Sequence, residues 1–217
     1  MISKRLIIAL DTDDLNLVKK LSAFFDPKVC LMKVGLQLYI AHGKEVLEYL
    51  SEQGFEIFLD LKLHDIPNTV AKAIKEIQKF NIKMTTIHSQ GGVEMINAAL
   101  DQSNDIKILA VSLLTSLDRQ DITRLYDNDF EKQFDMLLKV ITDTNTHGIV
   151  CSSHELVKIS DNNLIKVVPG IRNDDVSDDQ KRIMSSKAAY ENGADFIVVG
   201  RPIINSENPS KEYKKYL

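Results

Sequence analysis

The 217-residue sequence predicts an α/β protein, a (β/α)8 TIM barrel in which residues 1–217 form a single domain. Three observations predict it. Eight short apolar runs recur along the chain, stretches with helical spacing lie between them, and no Pro/Gly/Ser-rich linker interrupts the alternation. Hydrophobic residues make up 44% of the sequence, enough for one large core, and barrels of this length form single domains. A doubly wound open sheet is the alternative. It uses fewer strands at this length, and no G-x-G-x-x-G follows the first run.

The first run, Leu6–Leu10, is too short for the core of a signal peptide, and Asp11, Asp13 and Asp14 follow at once, so it reads as a buried strand. Leu15, Val18 and Leu21, with Phe25 one step on, mark the first helical stripe. The second run, Val29–Met32, leads to Lys33 and Gly35. Val46, Leu47 and Leu50 form the next stripe, and Gly54 stops that helix. The third run, Phe55–Leu59, ends in Asp60-Leu-Lys62-Leu-His-Asp65, and Val70, Ala73, Ile74 and Ile77 mark the helix after it. The fourth, Met84–Ile87, precedes His88 and Gly91-Gly92. The fifth, Ile106–Val111, leads to Thr115 and Ser116, and the stripe Phe134, Leu137, Leu138 and Ile141 follows. Gly148–Val150 is the sixth. Ile165–Val168 is the seventh and ends in Pro169-Gly170-Ile171-Arg172, while Phe196–Val199, the eighth, ends in Gly200-Arg201. Continuous apolar character in such runs suits parallel strands buried on both faces.

Composition narrows the function classes. The net charge is −4, from 27 Lys+Arg against 31 Asp+Glu, so no basic excess points to nucleic acid. No single-sign block points to a membrane surface, and no apolar stretch approaches the roughly 20 residues of a membrane helix. Cys30 and Cys151 are too few for a disulfide scaffold, which suits a reduced chain and a cytoplasmic location.

Active sites of such barrels sit at the C-terminal ends of the strands. Charged groups follow nearly every apolar run here, and they are costly to bury in one mouth unless paired. The strongest cluster is Asp60-x-Lys62-x-x-Asp65. Strand periodicity puts Asp60 and Lys62 on one face, and Lys33 on the neighbouring strand extends them into a row of alternating charge. A lysine among carboxylates keeps its proton, so Lys62 is a candidate proton donor rather than a nucleophile. A structural ion-pair network at the rim is the other reading of the same residues. The second cluster is Pro169-Gly170-Ile171-Arg172 with Gly200-Arg201. It reads as a phosphate site, because glycines admit an anion to the backbone, arginine grips it bidentately, and barrel phosphate sites follow strands 7 and 8. The alternative is tight turns with solvated arginines.

Other residues give weaker signals. His42, His64, His88, His147 and His154 lack metal-ligand spacing, and no metal site is expected. His64 is expected to orient rather than react. Cys30 reads as core, and Cys151 as a residue able to touch the mouth. Asp174, Asp175, Asp178 and Asp179 read as a solvated loop, with Gln180 able to close over a bound phosphate.

The segment Phe58-Leu-Asp60-Leu-Lys62-Leu-His-Asp65-Ile-Pro67-Asn-Thr69-Val closely resembles the signature of the orotidine 5'-phosphate decarboxylase family. The likeness continues through Ile8-Ala-Leu-Asp11, Lys33-Val-Gly35, His88 with Gly91-Gly92, Leu109-Ala-Val, Leu114-Thr-Ser116, Val168-Pro-Gly-Ile-Arg172 and Asp195-Phe-Ile-Val-Val-Gly-Arg-Pro202. The sequence departs from that pattern at Val168, where the family often has Thr, and at Ser185-Ser186, where it often has Thr-Pro. The resemblance implies a decarboxylase without cofactor or metal that converts orotidine 5'-phosphate to UMP, the last step of de novo UMP synthesis. It implies Lys62 as proton donor to C6, Asp60 beside the substrate carboxylate, and Asp11 and Lys33 on the ribose hydroxyls. It implies Ser116 on the pyrimidine, and Gln180, Gly200 and Arg201 on the phosphate, with Arg172 matching the arginine of the Pro-Gly-Ile-Arg loop. It also implies a homodimer in which Asp65 and Thr69 reach the neighbouring site.

Two rivals remain at this point. Sugar-phosphate enzymes of the same superfamily share D-x-K-x-x-D but use Mg2+, typically with Glu where Lys33 stands here. A non-catalytic nucleotide-binding barrel would keep Arg201 and the glycine turns without needing Asp60, Lys62 and Asp65 together.

Overall fold

The computed structural model describes residues 5–160, 163–173 and 184–217. Eight parallel strands close a barrel in sequence order, with β8 pairing back on β1. They are β1 (Leu6–Ala9), β2 (Cys30–Gly35), β3 (Ile57–Leu63), β4 (Ile82–His88), β5 (Lys107–Val111), β6 (Gly148–Val150), β7 (Ile165–Val168) and β8 (Phe196–Val199). The helices between them are α1 (Leu15–Ser22), α2 (Leu36–His42), α3 (Lys44–Glu52), α4 (Pro67–Ile77), α5 (Gly92–Asp101), α6 (Arg119–Tyr126), α7 (Phe130–Asp143), α8 (Ser153–Leu156) and α9 (Ser186–Glu191). Two short ones, α10 (Arg201–Ile204) and α11 (Pro209–Glu212), follow β8.

All eight apolar runs are strands, and the last three have the expected limits. The second, third and fourth strands run further than the apolar residues alone suggest. Lys33, Asp60, Lys62 and His88 therefore lie inside β2, β3 and β4 rather than beyond them. The four helical stripes lie on α1, α3, α4 and α7. Phe25 falls after α1 ends but is buried, edge-on to Tyr213 with ring centroids 5.3 Å apart. α3 stops at Glu52, and Gly54 takes φ +81° just beyond, a left-handed conformation that glycine adopts without a Cβ penalty. α4 begins on Pro67, whose fixed φ and missing N–H suit the first helical position.

Two apolar layers hold the barrel. The larger lies between the strands and the helices, and includes Ile8, Met32, Leu59, Val70, Ile96, Phe134 and Val199. The smaller fills the barrel axis with Ile7, Leu31, Phe58, Met84, Leu109 and Val167. Side chains alternate faces along a strand, so two residues past each of these plugs the chain again faces the axis. That step leads from Leu31 to Lys33, from Phe58 to Asp60, and from Met84 to Thr86 and then His88. The axis is thus dry below and charged above, which sets a polar constellation on an apolar floor.

Candidate active site

Asp11, Lys33, Asp60 and Lys62 form a continuous row at the C-terminal end of β1, β2 and β3. Lys33 Nζ lies 3.1 Å from Asp11 Oδ1 and 3.7 Å from Asp60 Oδ2. Lys62 Nζ donates to both oxygens of Asp60, at 2.8 and 2.9 Å. The side chains of Lys33 and Asp60 are only 12% and 13% exposed, whereas Lys62 is 30% exposed, so the Lys62 ammonium is the one of these three most open to an incoming molecule. Two anions alternate with two cations, so each partly buried charge has an opposite neighbour.

Asp60 is the hub. Burial raises its carboxyl's pKa, but Lys33 and Lys62, with hydrogen bonds from Lys62 and Thr86, outweigh that effect and hold it below the usual carboxylate value. Gly35 and Gly200 leave room for the row. A Cβ on Gly35 would come within 2.8 Å of Lys33 Nζ, and one on Gly200 within 3.0 Å of Asp11 Oδ2.

Lys62 reaches Asp60 by a route that strand periodicity does not describe. Its φ is +50°, and the pairing of β3 with β4 jumps from Leu59↔Thr85 to Leu63↔Ile87. The bulge between those pairs turns the chain and redirects the lysine. Thr86, fully buried on β4, grips this bulge. Its Oγ1 accepts from the Lys62 amide at 2.8 Å and donates to Asp60 Oδ1 at 2.9 Å.

A cavity of about 130 Å3 opens against Lys33, Asp60 and Lys62, and Leu113, Thr115, Val150, Pro169 and Val198 line its far side. A second hollow of about 100 Å3 touches Asp11, Lys33 and Gln37. A larger one, of about 520 Å3, lies apart from the row beside α6, α7 and α8, and two of its charged residues, Arg119 and Glu131, already pair with each other at 2.6 Å. Size therefore does not mark the site; convergent charge over an apolar floor does.

The structure distributes the other expected residues unevenly. Asp65 is exposed and stands outside the row of its own chain, with Oδ1 accepting from the Ile66 amide at 2.7 Å. Thr69 is exposed on the first turn of α4. Ser116 is exposed on the loop after β5, one residue beyond Thr115 of the cavity wall. Arg172 is 9% exposed, and its Nη1 donates to Ile171 O at 3.0 Å. Gly200 and Arg201 begin α10 directly above β8. Gln180 and the acidic residues Asp174, Asp175, Asp178 and Asp179 lie outside the described residues.

Cys151 departs from expectation. It is fully buried in the layer between barrel and helices, not at the mouth, and burial drives its thiol well above the ordinary range. Cys30 is core, as expected. The rings of His64 and His88 lie 5.5 Å apart, tilted by 40°, beside the row. His88 is held below its ordinary pKa by burial first, then by His64 and Lys62, with Asp60 opposing. Among the described residues no three His, Cys, Asp or Glu converge on a metal position. Thr86 is the site residue that sequence reasoning missed. Its only sequence signal is a hydroxyl at an inward-facing position of β4, between Met84 and His88.

A closed parallel barrel with ionised groups gathered at the C-terminal mouth is the architecture of barrel enzymes. The chain belongs to the orotidine 5'-phosphate decarboxylase / HUMPS family, whose model matches residues 4–216. It is 42% identical over 210 residues to the orotidine 5'-phosphate decarboxylase of Ehrlichia canis (strain Jake), spanning 94% of this chain and 92% of that one. It is 40% identical over 217 residues to the protein of the same name from Streptococcus pneumoniae (strain Hungary19A-6), spanning 96% and 93%. Among solved structures, the orotidine 5'-phosphate decarboxylase of Lactobacillus acidophilus superposes with a TM-score of 0.87 at 34% identity, over 99% of this chain and 97% of that one.

Proposed function

We propose that this barrel is an orotidine 5'-phosphate decarboxylase, releasing CO2 to form UMP in de novo pyrimidine biosynthesis, with Lys62 as the proton donor to C6. The observation that carries the reading is the Asp60–Lys62 pair, held at 2.8 Å against the mouth cavity, in a chain of this family. When the bond from C6 to the carboxylate breaks, its electron pair stays on C6. An ammonium fixed beside that carbon stabilises the charge as it develops and then delivers the proton. Asp60 faces the departing carboxylate and disfavours the ground state more than the transition state.

The rest of the site anchors the nucleotide. Asp11 and Lys33 take the ribose hydroxyls and Ser116 the pyrimidine. Gly200 and Arg201, with Arg172 from the β7 side and with Gln180, hold the phosphate. Binding energy gathered there, away from the reacting carbon, offsets the cost of the strained complex. Asp65 and Thr69, exposed in one chain, act in the neighbouring site of a homodimer. Each subunit is a single barrel domain, working in the cytoplasm without cofactor.

The Mg2+-dependent reading of the same family places a carboxylate where Lys33 stands. Here the Lys33 ammonium lies between Asp11 and Asp60, where it would repel a divalent cation. The test is loss of orotidine 5'-phosphate absorbance with purified protein in metal-free buffer. Turnover unaffected by EDTA is expected, and marked loss would favour the metal-dependent reading. The Lys62→Ala variant should bind UMP but lose nearly all turnover with its fold intact. Wild-type turnover in that variant would refute the assignment.

A further inference from the structure

We propose that Thr86 is a positioning residue, whose single hydroxyl fixes Lys62 and Asp60 relative to each other. The inference rests on the decarboxylase reading for its kinetic consequence and on geometry for the rest. Lys62 sits at φ +50°, a region that a side chain with a Cβ enters only when its surroundings hold it there. The bulge interrupts regular pairing of β3 with β4 at this point, and the Thr86 hydroxyl accepts the Lys62 amide at 2.8 Å. The same oxygen gives its one hydrogen to Asp60 Oδ1 at 2.9 Å. One buried group therefore holds the backbone of the cation and the carboxylate of its partner.

A hydroxyl serves both partners because it accepts and donates at once. An aliphatic side chain of the same shape does neither. Without it the left-handed turn at Lys62 loses its brace, and the ammonium leaves the position at which charge develops. A displacement of about 1 Å in such a group costs on the order of 100-fold in rate. Asp60 also loses one of the donors that keep it ionised, so its carboxyl titrates at higher pH.

Thr86→Val and Thr86→Ser separate the hydroxyl from packing. Thr86→Val should lower kcat on the order of 10- to 100-fold with KM within about twofold, and Thr86→Ser should recover most of the loss. Titration of the Asp60 carboxylate by 13C NMR should shift upward in Thr86→Val and return toward wild type in Thr86→Ser. If Thr86→Val does not fold, Thr86→Cys, a weak donor of similar volume, is read in the same way. Equal losses in the valine and serine variants, a change confined to KM, or an Asp60 titration indifferent to the hydroxyl would overturn the proposal. A wild-type protein that does not decarboxylate would refute the proposed function, while the Asp60 titration would still decide the role of Thr86.

Discussion

Asp60 makes three of the contacts that define the row: to Lys33, to Lys62 and to the Thr86 hydroxyl. Removing its charge takes from the Lys33 and Lys62 ammonium groups the carboxylate that both of them face. Asp60→Asn should therefore cost on the order of 3 kcal/mol at neutral pH, read from urea denaturation. The sign of the pH dependence follows from the lowered carboxyl. Its contribution is fully present above the unfolded value of 3.8 and is lost as pH falls through the lower folded value. Wild type and variant should consequently converge in stability in strong acid and reach their full separation by pH 3.8, with no further divergence above it. At this scale the sequence was informative for charge and silent about the hydroxyl. Lys33, Asp60 and Lys62 announce themselves because ionised groups inside apolar strands need partners. Thr86 does not, since threonine is common in strands for reasons of shape alone.

Single elements show where periodicity succeeds and where it stops. The apolar runs located all eight strands, because a strand buried on both faces needs no polar alternation. They ended β2, β3 and β4 too early, because there the inward face turns polar while the ladder continues. The bulge in β3 left no trace in the pattern; it depends on pairing with β4. At the opposite end of the barrel, β5 carries a different polar clamp. His147 Nδ1 accepts from the Ile108 amide at 3.0 Å, which requires a neutral ring. Burial, with Lys107 nearby, holds this histidine below its ordinary 6.5. The clamp is therefore intact above pH 6.5 and is lost as pH falls through the lower folded value. His147→Ala should cost about 1 kcal/mol at pH 8 and should flatten the decline in stability below pH 6.5, measured by denaturant melts across that range.

For the whole molecule, closure of β8 on β1 places Gly200 against Asp11, so the first and last strands contribute to one mouth. The overall architecture was legible because βα alternation without pause admits few topologies. The proposed dimer rests on resemblance alone, since within one chain Asp65 and Thr69 face solvent. The dimer reading makes a specific prediction. Asp65→Ala and Lys62→Ala subunits, each inactive alone, should regain activity when mixed, because one of the two sites in a mixed dimer then combines an intact Lys62 with an intact Asp65. Absence of recovery in verified mixed dimers would count against a shared site. Exposed Ile66 and Val93, near Asp65 and at the start of α5, provide apolar surface on the same side of the barrel.

The four charges of the row all come from the first three strands and their immediate ends, whereas the glycine–arginine turns come from the last two. On the decarboxylase reading, bond-breaking and handle-gripping are thus encoded in distant stretches of the polypeptide, joined only when the cylinder closes. Amino-acid changes in the later stretch can alter how tightly a nucleotide is held while sparing the earlier one. Such changes also reach the chemistry, because the grip on the far end of the nucleotide supplies binding energy that the strained complex draws on.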